Sequence, residues 1–486
     1  MMVGMDVVVI GAGVGGLGSA LALSRRGHRV TIVERDATPM PSDPHGAFAW
    51  NRRGAPQVRH SHALLARLRN LLRDQYPDVL DALFDAGATE LRFMDSLPEG
   101  MVAEPEPGDE DLVALACRRT TFEWVLRRTV LADDGVELHD GHAVVGLTFE
   151  PSDIPRVTGV RLDDGTEIAA DLVVAAGGRR ENVLDLLGQL GIDLDERIED
   201  TGIIYLSRFF ELVDGADFPP QSGPIGGDLG YLKYGVFPGD NRTFSITLAT
   251  RTDDAELRSK LLDPDTFLSA AAALPATAPY VDGRANPITD VEVMARLLNR
   301  DRRFLDTEDG LLVEGFAAVG DAHTCTNPLY GRGCSLAMVM SQMLADAVEE
   351  FGDARAAVLA YELRNRDEIH PWYRAAVSQD AATRAAIAAE RGETATDDSS
   401  GDGADTVEED PMRALLREGL LPALREDPVV LRAFLRMLNL LDPPESLMSN
   451  FDVLGRVMQS YQNREERPAE PSLGPDRAGL LADLAA

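Results

Sequence analysis

At 486 residues, with 81 acidic against 47 basic side chains and a net charge of −34, the chain has room for two or three domains around real cores. Its field repels nucleic acid and anionic membrane surfaces, which argues against both as partners. No apolar run reaches the roughly 18 residues of a membrane span, and no basic leader precedes the first strand, so stable membrane insertion and secretion are not expected. Three cysteines, Cys117, Cys325 and Cys334, lack disulfide or metal-ligand spacing and fit a reducing cytoplasm. Only Lys233 and Lys260 are lysines. Adaptation to high salt and a GC-rich genome account for this equally well.

In chain order, "DVVVI", a glycine loop, "LGSALALSRRG" and "RVTIVERD" read as strand, turn, helix and strand. A βαβ unit this short forces two parallel strands and a right-handed crossover. From His62 to Tyr76, Leu64, Leu65, Leu68, Leu71 and Leu72 share one helical face. "TTFE", Thr120 to Glu123, has the form of a capping box and opens a second helix. In "VTGVRLDDGTEIAADLVVAA", Asp164-Gly165 marks a hairpin. From Thr201 to Arg296 the pattern is strand-rich and reads as an antiparallel sheet. "GLLVEGFAAVGD" then returns to α/β, and the chain after Phe351 is helical. Residues 391–411, poor in apolar side chains and rich in Asp, Ser and Gly, read as an acidic flexible segment. From Met412 to Leu441 an amphipathic helical pattern is punctuated by Pro422, Pro428 and Pro443.

Two glycine loops carry the chemistry. Gly11-Ala12-Gly13-Val14-Gly15-Gly16 satisfies G-x-G-x-x-G between a strand and a helix. Gly11 permits the turn, Gly13 lets backbone approach a pyrophosphate, and Gly16 lets helix and strand pack closely. Phosphates then meet free N–H groups at the positive helix end. Glu34, closing the next strand, is placed to accept from an adenosine ribose. This loop alone leaves NAD and FAD open. The second loop, "GDAHTCTNPLYGRGCSLAMV", sets Asp321 at a strand end and starts a helix near Gly331-Arg332-Gly333. A helix N-terminus suits a flavin ring whose N1–C2=O edge becomes anionic on reduction, and Asp321 suits the ribityl hydroxyls. Together the two loops grip the ends of one long cofactor, FAD.

"GDAHTCTNPLYGRG" resembles the G-D-x-x-x-x-x-x-P-x-x-G-x-G flavin motif of the para-hydroxybenzoate hydroxylase fold. With "RRGAPQVRHSHALL", "RTTFEWVLR", "DLVVAAGGR" and "TGIIYLSRFF", the chain is similar to the flavin epoxidases of polyether biosynthesis, the monensin and lasalocid type. The resemblance extends to about residue 345. It implies Gly11, Gly13, Val14, Gly16, Glu34 and Arg35 at the AMP half of FAD, and Arg119 at the pyrophosphate or ribityl region. It also implies Asp321 on the ribityl chain and pyrophosphate, with Pro328, Gly331 and Gly333 beside the ring. Gln57, Arg59 and His60 fall where the family lines the flavin and substrate pocket, although helix capping by His62 and its neighbours is an equal reading of that segment. The family strand ending D-A-T-G-R-x-S reads Ala175-Ala176-Gly177-Gly178-Arg179-Arg180-Glu181 here, without the Asp or the Ser. That departure sets NAD(P)H as a direct reductant against electrons delivered through a separate flavin reductase.

The expected fold is α/β, or α+β overall: a Rossmann-type FAD-binding domain with an inserted antiparallel-sheet substrate domain and a helical C-terminal region. The division is 1–195 and 297–350 for the FAD domain, 196–296 for the substrate domain and 351–486 for the helical region. No catalytic side chain is assigned, because a flavin C4a-hydroperoxide carries the oxygen in such enzymes. The "RHSH" histidines lack helical metal-pair spacing, so no metal is expected. The expected activity is FAD-dependent epoxidation or hydroxylation by O2 of a hydrophobic polyene or aromatic metabolite, roofed by aromatics among Tyr205, Phe209, Phe210, Tyr231, Tyr234, Phe237 and Phe244. An FAD-dependent reductase of an isoprenoid-like substrate, and a non-enzymatic flavin protein with a partner-binding tail, are the alternatives.

Overall fold

The computed structural model describes residues 4–220, 225–306, 308, 310–390, 411–467 and 472–485. The elements that build the site are, in chain order, β1 (Asp6–Ile10), α1 (Val14–Ser24), β2 (Arg29–Glu34), α2 (Arg119–Leu131), β3 (Val136–Asp140) and β4 (Leu172–Ala175). Three long antiparallel strands follow: β5 (Ile203–Leu212), β6 (Leu232–Pro238) and β7 (Thr243–Arg251). The chain then makes β8 (Leu298–Arg303), β9 (Phe316–Ala318), α3 (Gly333–Phe351), α4 (Ala354–Glu368) and α5 (His370–Glu390).

Five strands form a parallel sheet in the order β9-β4-β1-β2-β3. The inner strands "VVVI" and "LVVA" and the edge strand "FAA" are apolar throughout because helices and loops cover both faces. On one face α1 packs directly on α3, at a separation only small residues permit. A Cβ on Gly18 would stand 2.6 Å from the Met338 sulfur. Ser19 Oγ donates to Ser341 Oγ across the same seam. The helices that follow the two glycine loops are therefore one packed unit, and the loops open side by side at the carboxyl edge of the sheet. β8 extends this edge by pairing with Thr324–Cys325 of the second loop and with Asp195–Asp200.

The strand-rich middle is a six-stranded antiparallel sheet built on β6-β7-β5, with two short helices, Ala255–Leu261 and Pro264–Ala272, inserted after β7. Alternation sorts its side chains. Leu206, Phe210, Phe244, Ile246 and Leu248 face outward and pack with Leu257, Leu261 and Phe267 of those helices. Tyr205, Ser207, Ser245 and Thr247 lie on the opposite parity and face the parallel sheet. Phe210, Tyr231, Tyr234 and Phe244 thus belong to the outer core, which leaves Tyr205, Phe209 and Phe237 of the roof aromatics on the inner parity.

Two further expectations change. The first leucine-rich helix begins at Ala66, not His62, because Leu64 pairs in a bridge with Leu115 before the helix starts. α2 starts where expected, but no capping box forms. Thr120 Oγ1 is buried without a partner, and Glu123 turns to the buried Arg52, 2.9 Å away. A buried cation has the stronger claim on that carboxylate than an N–H that other groups can satisfy. Asp240, fully buried at the end of β6, secures this helix start by accepting from Arg118 N–H at 2.7 Å, the Arg118 guanidinium at 2.6 Å and the Thr121 hydroxyl at 2.9 Å.

The hairpin at Asp164-Gly165 is present, with Gly165 at φ +87°. Residues 391–410 of the acidic segment lie outside the described residues. Of the punctuating prolines, Pro428 begins the helix Pro428–Leu438, whereas Pro422 lies within continuous helix, directly after the π-helical Leu416–Leu420.

Candidate functional site

The β1–α1 loop turns at Gly11, φ +98°, whose N–H donates to Val33 C=O at 2.8 Å. Gly16 has no room for a side chain, since a Cβ would lie 1.8 Å from Gly11 C=O. A Cβ on Gly13 would meet nothing within 4 Å and would project into an open cleft. The first glycine is thus required by backbone conformation, the third by packing, and the second by space left for a ligand.

That cleft, of about 520 Å3, runs along the carboxyl edge of the parallel sheet. At one end lie Gly11, Gly13, Val14, Glu34, Arg35 and Arg52. At the other lie Arg119, Asp321, Pro328, Gly331, Gly333 and Cys334. Residues about 300 positions apart in sequence are brought to one cavity by the α1–α3 seam. Glu34 already accepts from Ala12 N–H at 2.7 Å and Asp36 N–H at 2.9 Å, which fixes its carboxylate in the wall with lone pairs to spare. Gly331, φ +66°, comes so near Ala63 that a Cβ would stand 2.8 Å from the Ala63 Cβ, closing the ring end of the cleft.

Arg119 is the first residue of α2. It reaches His62 Nε2, Cys334 Sγ and Glu123 only through long contacts of 3.3–3.4 Å, and so keeps donor capacity in the cleft. It is a wall residue, not one half of a surface ion pair. His62 caps no helix. Its Nδ1–H donates to His60 C=O at 2.9 Å, which leaves Nε2 as an acceptor facing Arg119. Burial first, and then the Arg119 charge, push His62 down to about 3, so it is neutral at physiological pH. Burial also pushes the Asp321 carboxyl above its usual range, against the pull of Arg179 and Arg119.

Of the remaining sequence candidates, Gln57 lines the cleft. Arg59 and His60 do not. Arg59 faces Glu292 at 3.8 Å, and His60 stands edge-on to the Tyr205 ring with centroids 5.1 Å apart. The sequence reading missed Arg52, Ser61, His62, Arg179 and Glu181 as wall residues, while Tyr205, named among the roof aromatics, does line the cleft. No sequence signal marked Arg52: it is buried, stacks on Trp50 at 4.7 Å and donates to Ala12 C=O at 3.0 Å. The Arg179 guanidinium has no hydrogen-bond or ion-pair partner among the described residues.

The cleft fits a long anionic dinucleotide. Arg35, Arg52, Arg119 and Arg179 set positive charge along its wall. Free N–H groups at the start of α1 and the open space over Gly13 suit a pyrophosphate. A second cavity of about 490 Å3 adjoins the ring end. Its walls are the inner sheet face, with Ile203, Phe237 and Thr247, together with the Asn327–Tyr330 turn and Asp380 of α5.

Comparison with known proteins agrees with this geometry. The family profile "FAD dependent oxidoreductase" matches residues 6–82. Protein Rv3254 of Mycobacterium tuberculosis is 31% identical over 383 residues, covering 73% of this chain and 75% of that protein. The 2-heptyl-3-hydroxy-4(1H)-quinolone synthase of Mycobacteroides abscessus is 27% identical over 366 residues, covering 74% and 86%. Among solved structures, pqsL of Pseudomonas aeruginosa, titled a probable FAD-dependent monooxygenase, superposes with a TM-score of 0.57 at 18% identity, covering 80% of this chain and 98% of that one. The chain therefore belongs to the same family as Rv3254 and is an FAD-dependent oxidoreductase with monooxygenases among its relatives and structural neighbours.

Proposed function

We propose that the protein inserts one atom of O2 into a hydrophobic polyene or aromatic small molecule, by epoxidation or hydroxylation, as the polyether flavin epoxidases do. The observation that carries this reading is the second cavity. It is separated from the ring end of the cofactor cleft by a single turn: Thr326 and Pro328 face the cleft, while Asn327, Leu329 and Tyr330 face the cavity. Ser61 of the cleft and Thr247 of the cavity share a hydrogen bond at 2.6 Å. A substrate held there would lie between Ile203, Phe237 and Leu329, one turn from the end of the cleft bordered by Pro328, Gly331 and Gly333.

In this reading residues 1–195 and 297–350 carry the cofactor, 196–296 roof the substrate, and 351–486 close the far wall through α5. Gly11, Gly13, Val14, Glu34 and Arg35 hold the AMP half, with Gly16 serving the packing beneath it. Arg119 and Asp321 hold the ribityl and pyrophosphate region, and Pro328, Gly331 and Gly333 border the ring. When bound and reduced, FAD supplies activation of O2; the protein's part is to orient the substrate and exclude water. NAD(P)H is the electron source, directly or through a separate reductase. Three buried free cysteines support a cytoplasmic setting.

The test supplies the purified flavoprotein with NADPH, or with light-reduced flavin, and follows O2 consumption against product for a conjugated polyene acid and for an aryl ring of similar size. Oxygen uptake matched by an oxygenated product supports the reading. Saturation of the polyene without O2 would replace it with the reductase alternative.

A further inference from the structure

The two cavities meet at a small apolar cluster. Tyr205, Ala249 and Leu297 are its buried members, and Ile203, Met294 and Leu329 pack against them. Tyr205 and Met294 line the cofactor cleft, whereas Ile203 and Leu329 line the second cavity. Leu329 follows Pro328 in the ring-end turn, so the cluster is a seam between the ring end of the cleft and the second cavity. Met294 ends the short strand Glu292–Met294, which pairs with β5 and sets Met294 opposite Tyr205. Tyr205 is 4% exposed, and its O–H donates to the Met294 sulfur, which holds the thioether in place.

Met294 differs from the thiols of the cleft. Cys325 and Cys334 also line it, but they are 3% and 2% exposed, and burial pushes both thiols up, which denies them the reactive thiolate form. A thioether needs no ionisation, and this sulfur keeps a lone pair after accepting from Tyr205. Met294 is partly exposed, and among the described residues it is the only methionine in the wall of either cavity.

We propose that Met294 is an oxidation site, converted to its sulfoxide by the peroxide that arises at the ring end when reduced cofactor meets O2 with no substrate in place. The reduced cofactor supplies the two electrons that turn O2 into peroxide. The sulfur then gives two electrons to the O–O bond, a sulfur–oxygen bond forms, and the departing oxygen takes the proton and leaves as a hydroxyl compound or water. The sulfur is oxidised and the peroxide reduced. A flexible apolar side chain becomes a polar one in the seam between the two cavities. The proposal rests on the FAD monooxygenase reading of the cleft.

The experiment takes the FAD-loaded full-length protein through repeated cycles of light reduction without O2 and reoxidation by O2, with no substrate and with catalase present to remove peroxide from solution. Peptide mass spectrometry then locates the added oxygen. A parallel sample receives hydrogen peroxide in the dark, without reduction. After the cycles, the Met294 peptide is expected to gain about 16 Da ahead of the Met412 and Met458 peptides, although those residues are 51% and 47% exposed. With added hydrogen peroxide the order is expected to reverse, because access from solution then decides. Flavin that reoxidises while Met294 stays unmodified, or cycles that oxidise Met412 and Met458 first, overturn the proposal and leave the FAD reading intact. Absence of FAD binding overturns both.

Discussion

Asp380 is the group whose removal should separate substrate handling from flavin binding. It projects from α5, is 6% exposed, and accepts three hydrogen bonds: from Asn299 Nδ2 at 2.7 Å, Asn327 Nδ2 at 2.9 Å and Tyr330 OH at 2.7 Å. Asn327 and Tyr330 bracket Pro328, so this one carboxylate latches the turn between the two cavities. Asp380→Ala leaves three donors without an acceptor. At about 1–3 kcal/mol for each buried donor, discounted because the adjoining cavity admits water to Tyr330, the cost is about 3–5 kcal/mol. Asp380→Asn keeps the shape and one oxygen. That oxygen still serves Asn327 and Tyr330, but the new NH2 confronts the Asn299 amide. Asn299 cannot turn away freely, because its Oδ1 accepts from Asn327 N–H at 2.7 Å. One lost acceptor gives about 1–2 kcal/mol. Urea denaturation measures the first quantity, and product formed per O2 consumed measures the second effect. With the turn loosened, Asp380→Asn should keep its flavin but waste a larger share of O2 without product. Both variants lying within about 0.5 kcal/mol of wild type, with unchanged coupling, would refute the latch.

Further outcomes follow from the same geometry. Gly16→Ala places a Cβ 1.8 Å from Gly11 C=O, a backbone atom that cannot yield, so FAD titration should show at least a roughly tenfold loss of affinity, about 1.4 kcal/mol; an unchanged Kd contradicts the packing role. Asp240→Ala strands the buried Arg118 guanidinium and should cost about 3–5 kcal/mol in urea denaturation, whereas a loss below about 1 kcal/mol would mean that Asp240 does not join the sheet domain to α2. His323 is buried, which alone would lower its pKa, but Glu362 at 3.0 Å more than offsets this and raises it. Its contribution to stability is then fully present below the ordinary histidine value of about 6.5 and is lost as pH rises through the raised folded value. Denaturation between pH 6 and 9 should show this loss in wild type and not in His323→Gln; equal slopes would remove His323 as the cause.

Both phosphate-loop glycines and the ring-end motif could be read from sequence because their reasons are local. A positive φ at Gly11 and a helix start at Gly333 depend on a few neighbouring residues. Glu34 was legible for the same reason, as the last residue of a short strand. The residues that escaped reading act over long sequence distances. Glu123 looked like half of a capping box, but its partner Arg52 comes from a separate loop. Asp240 was one acid among 81, and only the closure of the sheet domain onto α2 sets it under Arg118. The aromatics of the middle domain were visible as a group. Their division between outer core and inner face needed strand register, because a shift of one residue exchanges the two faces.

The charge distribution explains how so acidic a chain binds an anionic dinucleotide. Over the sequence, acids outnumber bases 81 to 47. In the cleft the balance inverts: Arg35, Arg52, Arg119, Arg179 and Arg180 face Glu34, Glu181, Asp185 and Asp321. Screening at physiological salt acts over about 8 Å, so surface carboxylates beyond that distance contribute little at the pyrophosphate, and the wall decides. Burial also raises Glu181, beside Gly177, to about 8, which lowers the negative charge of the wall near neutral pH. The Arg179 guanidinium, which has no hydrogen-bond or ion-pair partner among the described residues, is left to meet ligand charge while its field also reaches Asp321. Enclosure in the cleft, more than the count of basic residues, is what keeps the site positive.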